Sequence, residues 1–347
     1  MRHVLLGAIV IGGFIATALG RAVAQDAATI EEFYRNKQVS FIVSTDPGSG
    51  FDTSSRLIAR YLPKYIPGSP TIVVRNMAGA GGVVAANYLY NLAPKDGLTI
   101  GMAQTNIAFN PLYGDKAAHF DAAQFNWLGS PSKETALFVV WHDSPYKSIA
   151  DTKNKELRLA STGAGSTPAI YARLLAKVLD LDIKVINGYK SQPEEFLGME
   201  RGENDGIAAP YWSSMQAEKP DWLRDGLVRI LTYWGADRIA EIPGPYVFDL
   251  IQDPSKKTIM QIGQAGLAMG RPITAPPGVD PAKISILRQA LADVFKDPEY
   301  LDECKKMGLE CRYPASGDEL LSLITLVYRQ PKSAIDAVVS IFSDNGN

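Results

Sequence analysis

Short runs rich in β-branched and apolar residues alternate with helical patterns along most of this chain. Such alternation predicts parallel β-sheets flanked by helices, an α/β fold. Between the runs, apolar residues recur at helical spacing, as in the stripe through Ile170, Leu174 and Val178, which indicates core-facing helices. The predicted strands are Val39–Ser44, Thr71–Val74, Leu98–Met102, Leu137–Trp141, Leu157–Ala160, Ile183–Ile186 and Val228–Tyr233.

The length of the chain favours two lobes over one. A chain of 347 residues, 46% of them apolar, exceeds one ordinary domain and can fill two cores. Clusters of proline and glycine at Ile242–Pro245 and Pro272–Gly278 are typical of connections and too short for linkers. We therefore expect two interwoven lobes.

The first residues predict a secretory signal. Arg2 and His3 give a positive start, an apolar run follows from Val4 to Leu19, and Ala22-Val23-Ala24 is a small-residue cleavage site. The alternative is a retained membrane anchor, but the run is shorter than the roughly 20 residues that span a bilayer. We expect cleavage after residue 24 and export.

Charge and cysteine content restrict the possible functions. A formal net charge of -2 gives no basic face for nucleic acid, and no later apolar segment is long enough to span a membrane. Cys304 and Cys311 are the two cysteines, and in an oxidising compartment so close a pair predicts one disulfide. A metal site has little support, because no Cys-x-x-Cys motif and few histidines are present.

One glycine-containing loop is the most informative segment for function. The residues Ser44-Thr45-Asp46-Pro47-Gly48-Ser49-Gly50-Phe51-Asp52-Thr53 follow a predicted strand and precede an amphipathic helical run. Glycines let backbone amides approach a ligand, and a helix start carries partial positive charge. The loop is thus suited to an anionic group. Alternatively its residues only form a turn and cap the helix, which is the role we predict for Asp52.

A second loop has the same construction. Ser161-Thr162-Gly163-Ala164-Gly165-Ser166-Thr167 follows a predicted strand and precedes a helix with Pro168 near its first turn. Two such loops can face each other across a cleft. Neither contains the Gly-Lys-Ser/Thr ending of a P-loop or the full dinucleotide fingerprint, so we expect no nucleotide and no cofactor.

Catalytic motifs occur only as fragments. Ser130-Pro-Ser-Lys133 and Ser144-Pro-Tyr-Lys147 both match Ser-x-x-Lys, but the Lys-Thr-Gly partner motif is missing. His119 and His142 are the histidines that remain after signal cleavage, and both are expected at the surface. An exported hydrolase remains the alternative class, and we predict that the chain is not an enzyme.

Several motifs in one order resemble the substrate-binding proteins of tripartite tricarboxylate transporters, also called Bug receptors. The resemblance runs from about Val39 to the C-terminal helices. It rests on Pro47-Gly-x-Gly-x-Asp52, Asn76-x-x-Gly-Ala-Gly-Gly82, Pro94-Lys-Asp-Gly-Leu-Thr99, Ser161-Thr-Gly-Ala-Gly-Ser166, Gly188-Tyr-Lys190, Arg201-Gly-Glu-Asn-Asp-Gly206 and Ala275-Pro-Pro-Gly-Val279.

The resemblance implies a type II periplasmic binding protein fold, with two α/β lobes joined by crossover strands and the ligand cleft between them. In this chain, the signal peptide would span 1–24, lobe one 25–136 and 262–347, and lobe two 137–261. A small mono-, di- or tricarboxylate would be handed to membrane transporter subunits in the periplasm, and the receptor would act as a monomer.

Ligand contacts follow from the same resemblance. In lobe one they fall on Thr45, Asp46, Pro47, Gly48, Ser49, Gly50, Phe51, Asp52 and Thr53, and in lobe two on Ser161, Thr162, Gly163, Gly165, Ser166 and Thr167. Further candidates are Asn106, Tyr189, Asp205 and Tyr211. Ser49 and Phe51 depart from the family's usual Gly-Gly-Ser/Thr pattern, so aliphatic and aromatic ligands both stay open. A signalling membrane protein is the alternative partner.

Overall fold

The computed structural model describes residues 29–153, 155–163, 166–190 and 192–343. The predicted signal segment 1–24 therefore lies outside the described residues. In the described part, no helix is long and apolar enough to cross a membrane. The strands are β1 Gln38–Val43, β2 Thr71–Asn76, β3 Thr99–Met102, β4 Asn126–Ser130, β5 Thr135–Trp141, β6 Leu157–Ser161, β7 Ile183–Asn187, β8 Gly206–Tyr211, β9 Val228–Gly235, β10 Ile273–Ala275 and β11 Ala315–Ser316.

The helices fall largely where apolar residues recur at helical spacing. The predicted stripe lies on the buried side of its helix, since Leu174 and Val178 are fully or almost fully buried, as are Leu287 and Leu291 further along the chain. The α-helices are α1 Gly50–Tyr61, α2 Val83–Asn91, α3 Thr167–Leu179, α4 Gln192–Glu200, α5 Trp212–Glu218, α6 Pro220–Arg224, α7 Val247–Leu250, α8 Pro254–Met269, α9 Pro281–Val294, α10 Pro298–Lys306, α11 Gly317–Tyr328 and α12 Lys332–Ser343.

Two sheets form the two lobes. The sheet of lobe one has the order β11-β4-β10-β3-β1-β2, and that of lobe two has the order β7-β6-β8-β5-β9. The predicted α/β class is confirmed, since helices alternate with strands and the strands form two sheets. All seven predicted strands are present, within two residues of their expected ends.

The sheets are mixed: the predicted parallel order is present in each of them, but three strands run antiparallel to their neighbours. β1, β2 and β3 run parallel, but β10 runs antiparallel to β3 and β4, and β11 runs antiparallel to β4. In lobe two, β5 runs antiparallel to β8 and β9. Two neighbouring strands run parallel only if a crossover connection returns the chain to the edge of the sheet where the first strand began. β5 and β10 have no such connection, because the chain enters each of them directly from the other lobe.

The chain crosses between the lobes at residues 131–134 and 270–272, which we call the first and second crossing. The boundary expected at 136/137 falls inside β5, and the one expected at 261/262 falls inside α8. We therefore propose the two crossings as the lobe boundaries. The last helix, α12, packs against α3 and α8, so it lies on helices adjoining lobe two and not on lobe one alone.

The predicted disulfide is present. Cys304 and Cys311 are bonded, with their Cα atoms 6.4 Å apart and a sequence separation of seven. Both residues are buried. The bond closes the turn that follows α10 and holds Glu310 and Arg312 next to the cleft, so it stabilises a part of the site described below.

Candidate ligand-binding site

The first glycine loop joins β1 to α1 at the carboxyl end of the sheet. Ser49 caps α1, since its Oγ accepts the N–H of Asp52 at 3.2 Å. The same hydroxyl contacts Thr45 Oγ1 at 2.6 Å. Gly48 has φ +81° and open space around it, a conformation that favours glycine. The loop is thus held by its own side chains while Gly48 and Gly50 stay exposed.

Asp52 has a different role from the predicted one, because the cap of α1 is Ser49. The Asp52 carboxylate accepts the N–H of Gly48 at 2.8 Å and the side chains of Arg56 and Asn76 at 3.0 and 2.9 Å. Burial pushes its pKa up, but the bonds from Arg56, Gly48 and Asn76 outweigh burial and lower the pKa to about 2. Asp52 therefore stays ionised, and its hydrogen bonds connect the loop at Gly48 to Arg56 of α1 and to Asn76 at the end of β2.

A cavity of about 1140 Å³ lies between the two lobes. The lobe-one side is lined by Phe51 of α1, by Gly81 and by the segment Gln104–Asn106 after β3. These residues follow the carboxyl ends of three neighbouring parallel strands. Ligands of open α/β sheets bind at that edge. The position of the cavity therefore matches the cleft expected from the two loops.

The lobe-two side of the cavity includes Thr167, Tyr171 and Tyr211 together with Ser213. Thr167 is the first residue of α3 and ends the second predicted loop. Within that loop, Ser161 Oγ donates to the Gly163 carbonyl at 2.8 Å and contacts Ser166 Oγ at 2.9 Å. Gly165 lies outside the described residues.

Four predicted residues therefore line the cavity: Phe51, Asn106, Thr167 and Tyr211. Asp205 does not line it. Its carboxylate pairs with Arg158, 2.7 Å from Nη2, at the start of β8, whereas Tyr211 ends the same strand at the cleft. Tyr189 lies in a separate groove of about 390 Å³ on lobe two, and Asn204 donates to its hydroxyl at 3.1 Å.

Both crossings place charged side chains in the cavity, and motif analysis did not identify them. Glu134 ends the first crossing and is 7% exposed. Its backbone N–H donates to the Leu267 carbonyl of α8 at 2.8 Å, and its carboxylate accepts from the Ser213 hydroxyl at 3.2 Å. Arg271 lies in the second crossing and lines the same cavity.

The turn closed by the disulfide supplies a further polar wall. Arg312 pairs with Glu310, with Nη2 and Oε2 3.1 Å apart. The same nitrogen donates to Gln216 Oε1 at 2.7 Å. Because Gln216 belongs to α5 of lobe two and Arg312 follows α10 of lobe one, this contact joins the lobes at the wall of the cavity.

The fragments of catalytic motifs do not form a catalytic arrangement. Lys133 pairs with Asp237 at 3.2 Å and with Glu319 at 3.7 Å, while the Ser130 hydroxyl donates to the Ser132 carbonyl at 2.8 Å. Ser130 and Lys133 therefore engage other groups. His142 pairs with its exposed neighbour Asp143 at 3.0 Å and does not line the cavity.

Two α/β lobes, two crossings and a large cavity between the lobes define the class of two-lobed solute-binding proteins. Residues 56–338 match the family model of the tripartite tricarboxylate transporter family receptor, and the chain belongs to this family. A curated relative, the UPF0065 protein in gbd 5'region of Cupriavidus necator, is 24% identical over 304 residues, 85% of this chain and 86% of that protein.

Solved structures show the same fold at low identity. A TctC solute-binding protein from Polaromonas superposes with a TM-score of 0.70 at 17% identity, over 88% of this chain and 99% of that one. A Rhodopseudomonas palustris protein described with adipate superposes with a TM-score of 0.58 at 20% identity, over 88% of this chain and 97% of that one. MatC of the same organism, described with bound malate, superposes with a TM-score of 0.54 at 19% identity, over 88% of this chain and 99% of that one.

Proposed function

We propose that this receptor captures a small carboxylate in the cavity between its lobes and delivers it to a tripartite tricarboxylate-type transporter. One observation carries the proposal: the cavity is lined by residues at the starts of the helices that follow the two glycine loops, Phe51 of α1 and Thr167 of α3. Helix starts present unpaired amides and partial positive charge, and both favour an anion. Two neighbours described with dicarboxylates agree with this ligand class.

Binding by closure follows from the arrangement of the lobes. The connection between the two sheets consists of the two short crossings, which suits a hinge. A carboxylate held by lobe one contacts lobe two once the lobes close over it. Hydrogen bonds to charge are strongest where water is excluded, so closure increases affinity and presents a distinct surface to the membrane partner.

The location and partner belong to the same proposal. Members of this receptor family work outside the cytoplasmic membrane, and we propose export by the segment 1–24. The alternative partner is a signalling membrane protein. Neighbouring genes for two membrane subunits would support transport, whereas a neighbouring sensor gene would support signalling.

A solute screen tests the function. The chain without residues 1–24 is titrated by calorimetry and thermal shift with aliphatic and aromatic mono- and dicarboxylates, and with cationic and neutral solutes of similar size. We expect a stabilising ligand within the carboxylates. Binding confined to cationic or neutral solutes, or no binding at all, would contradict the proposal.

The affinity for a carboxylate is expected to fall as pH rises from 6 to 8. Burial raises the pKa of Glu134 to about 7, against the opposing effects of Arg271, Ser213 and Arg312. A bound carboxylate adds negative charge and raises this pKa further, so binding takes up a proton. At pH 6 the Glu134 carboxyl already carries this proton before the ligand binds. At pH 8 the carboxyl is ionised and must take the proton from solvent, which lowers the affinity.

The expected change is up to about tenfold in Kd for adipate between pH 6 and pH 8, since one proton is linked to binding. Calorimetric titration at pH 6, 7 and 8 measures it. Glu134→Gln keeps the shape of the side chain and cannot titrate, so its Kd should be nearly constant. Equal pH slopes in both proteins would assign the proton to another group.

A further inference from the structure

We propose that Arg271, in the second crossing, is the cation that anchors a ligand carboxylate, and that the ligand carries an apolar body next to that carboxylate. This inference rests on the proposed function and deepens it, because it names the specificity-determining residue and the class of ligand. Three independent observations lead to it: the position of the guanidinium, its lack of an ionic partner and the apolar wall beside it.

The position of Arg271 is set by two hydrogen bonds to lobe one. Its N–H donates to Ser130 Oγ of β4 at 3.0 Å, and its Nη1 donates to the Glu310 carbonyl at 3.3 Å. Its Nη2 lies 3.6 Å from the point where a Cβ on Gly50 would stand. The guanidinium therefore faces the start of α1, where the amide-rich loop ends.

The charge of Arg271 is left for a ligand. Two other cations at the cavity and crossings have acidic partners: Arg312 has Glu310, and Lys133 has Asp237 and Glu319. Arg271 appears in no ion pair among the residues that the structure describes. Lys305, which also borders the cavity, lies exposed at its rim.

Glu134 is close enough to this cation for Arg271 to counteract the rise in the pKa of its carboxyl that burial causes, but it is not an ion-pair partner among the described residues. The Glu134 carboxylate lines the same cavity and accepts from Ser213. A guanidinium presents two parallel N–H donors that match a carboxylate. A ligand carboxylate between Arg271 and the start of α1 would use both that fork and the partial charge of the helix.

The wall beside the guanidinium indicates the rest of the ligand. The Phe51 ring centroid lies 5.9 Å from Arg271 Cζ, and Ile170 and Leu267 line the same cavity from α3 and α8. Burying an apolar chain against these side chains is favourable, whereas burying an unpaired hydroxyl there is costly. We therefore expect adipate, with its four methylene groups, to bind more tightly than malate.

Calorimetry with adipate and malate tests the anchor in the mature chain and in three variants. Arg271→Gln should weaken adipate binding at least about a hundredfold, since one partner of a buried ionic contact is lost. Arg271→Lys keeps the positive charge but not the two parallel N–H donors of the guanidinium, so its affinity for adipate should fall about tenfold. Arg224→Gln removes one charge from the exposed end of α6 and should bind normally.

The outcomes separate the inference from the function. Adipate binding by Arg271→Gln within threefold of the unchanged protein would overturn the anchor and leave the receptor function standing. Binding of no carboxylate by the unchanged protein would overturn both. If Arg271→Gln melts at a lower temperature, Arg271→Lys decides: equal weakening of both variants contradicts a role for the charge. Tighter binding of malate than adipate would overturn the apolar ligand class.

Discussion

The variant Gly50→Asp is expected to lose at least about a hundredfold in affinity for adipate while it unfolds at the same temperature or higher. Gly50 is the first residue of α1 and is exposed, next to the cavity-lining Phe51. Its added Cβ would lie 3.6 Å from Arg271 Nη2, which places an aspartate carboxylate against the guanidinium. The new side chain would thus occupy the position proposed for the ligand carboxylate.

Stability should not suffer from this substitution. An acidic residue in the first turn of a helix gains about 0.3–1 kcal/mol from the helix dipole, and replacing glycine reduces the entropy of the unfolded chain. Gly50 has no positive φ and no close neighbour other than Arg271, so the backbone accepts a side chain. Loss of binding therefore cannot be attributed to unfolding.

Gly50→Asn is the matched control because it has the same shape without the charge. It should retain adipate binding within about tenfold, as it blocks space but does not pair with the guanidinium. Calorimetry gives the affinities, and thermal denaturation without ligand gives the stabilities. If the Asp and Asn variants lose affinity equally, the effect is steric and the ionic contact between this position and Arg271 is disproved.

Local signals in the sequence were sufficient for the two glycine loops. A strand pattern, a glycine and hydroxyl loop and a helix start are consecutive in the chain, so Phe51 and Thr167 could be placed on helix starts without knowing any long-range contact. The same holds for Cys304 and Cys311, whose short separation limits the possible geometry. The family resemblance then indicated that both loops face one cleft.

The charged part of the cavity could not be predicted in this way. Arg271 reaches the site because its N–H binds the hydroxyl of Ser130, 141 residues earlier. Glu134 reaches it because its N–H binds the Leu267 carbonyl. Neither residue stands in a motif, and only the pairing of the two crossings brings them together. Periodicity and spacing carry no information about such a pairing.

Asp205 is the opposite case: the family resemblance made it a candidate ligand contact, but its position in the fold is away from the cavity. The residue stands in the stretch Arg201–Gly206, but it precedes β8, and the cleft lies beyond the other end of that strand. Its carboxylate is occupied by the N–H of Arg158 at 2.8 Å and by the Arg158 guanidinium. We therefore leave Asp205 and Tyr189 out of the proposed site.

The second large effect is expected for Gly270→Ala, which should reduce the free energy of unfolding by about 3 kcal/mol or more. Gly270 ends α8 with φ 57° and ψ -115°, a conformation outside the regions open to alanine. A Cβ there would stand 1.9 Å from the Ser132 carbonyl oxygen, so the two crossings would have to separate. Thr105 Oγ1 also donates to the Gly270 carbonyl, at 2.9 Å, and this bond would be strained too.

Gly226→Ala is the control for the cost of a side chain at a positive φ without a steric clash. Gly226 has φ +65° and no atom within 4 Å of the added Cβ, so this variant should lose only about 1 kcal/mol. Urea denaturation of both variants gives the comparison, and the difference of about 2 kcal/mol combines the contact between the crossings with the additional strain of the Gly270 backbone. The same contact positions Arg271, one residue after Gly270. Gly270→Ala should therefore also weaken adipate binding under conditions where it stays folded, whereas Gly226→Ala should not. Equal losses of stability in the two variants would mean that the crossings move apart at little cost, and the hinge would then be looser than its hydrogen bonds indicate.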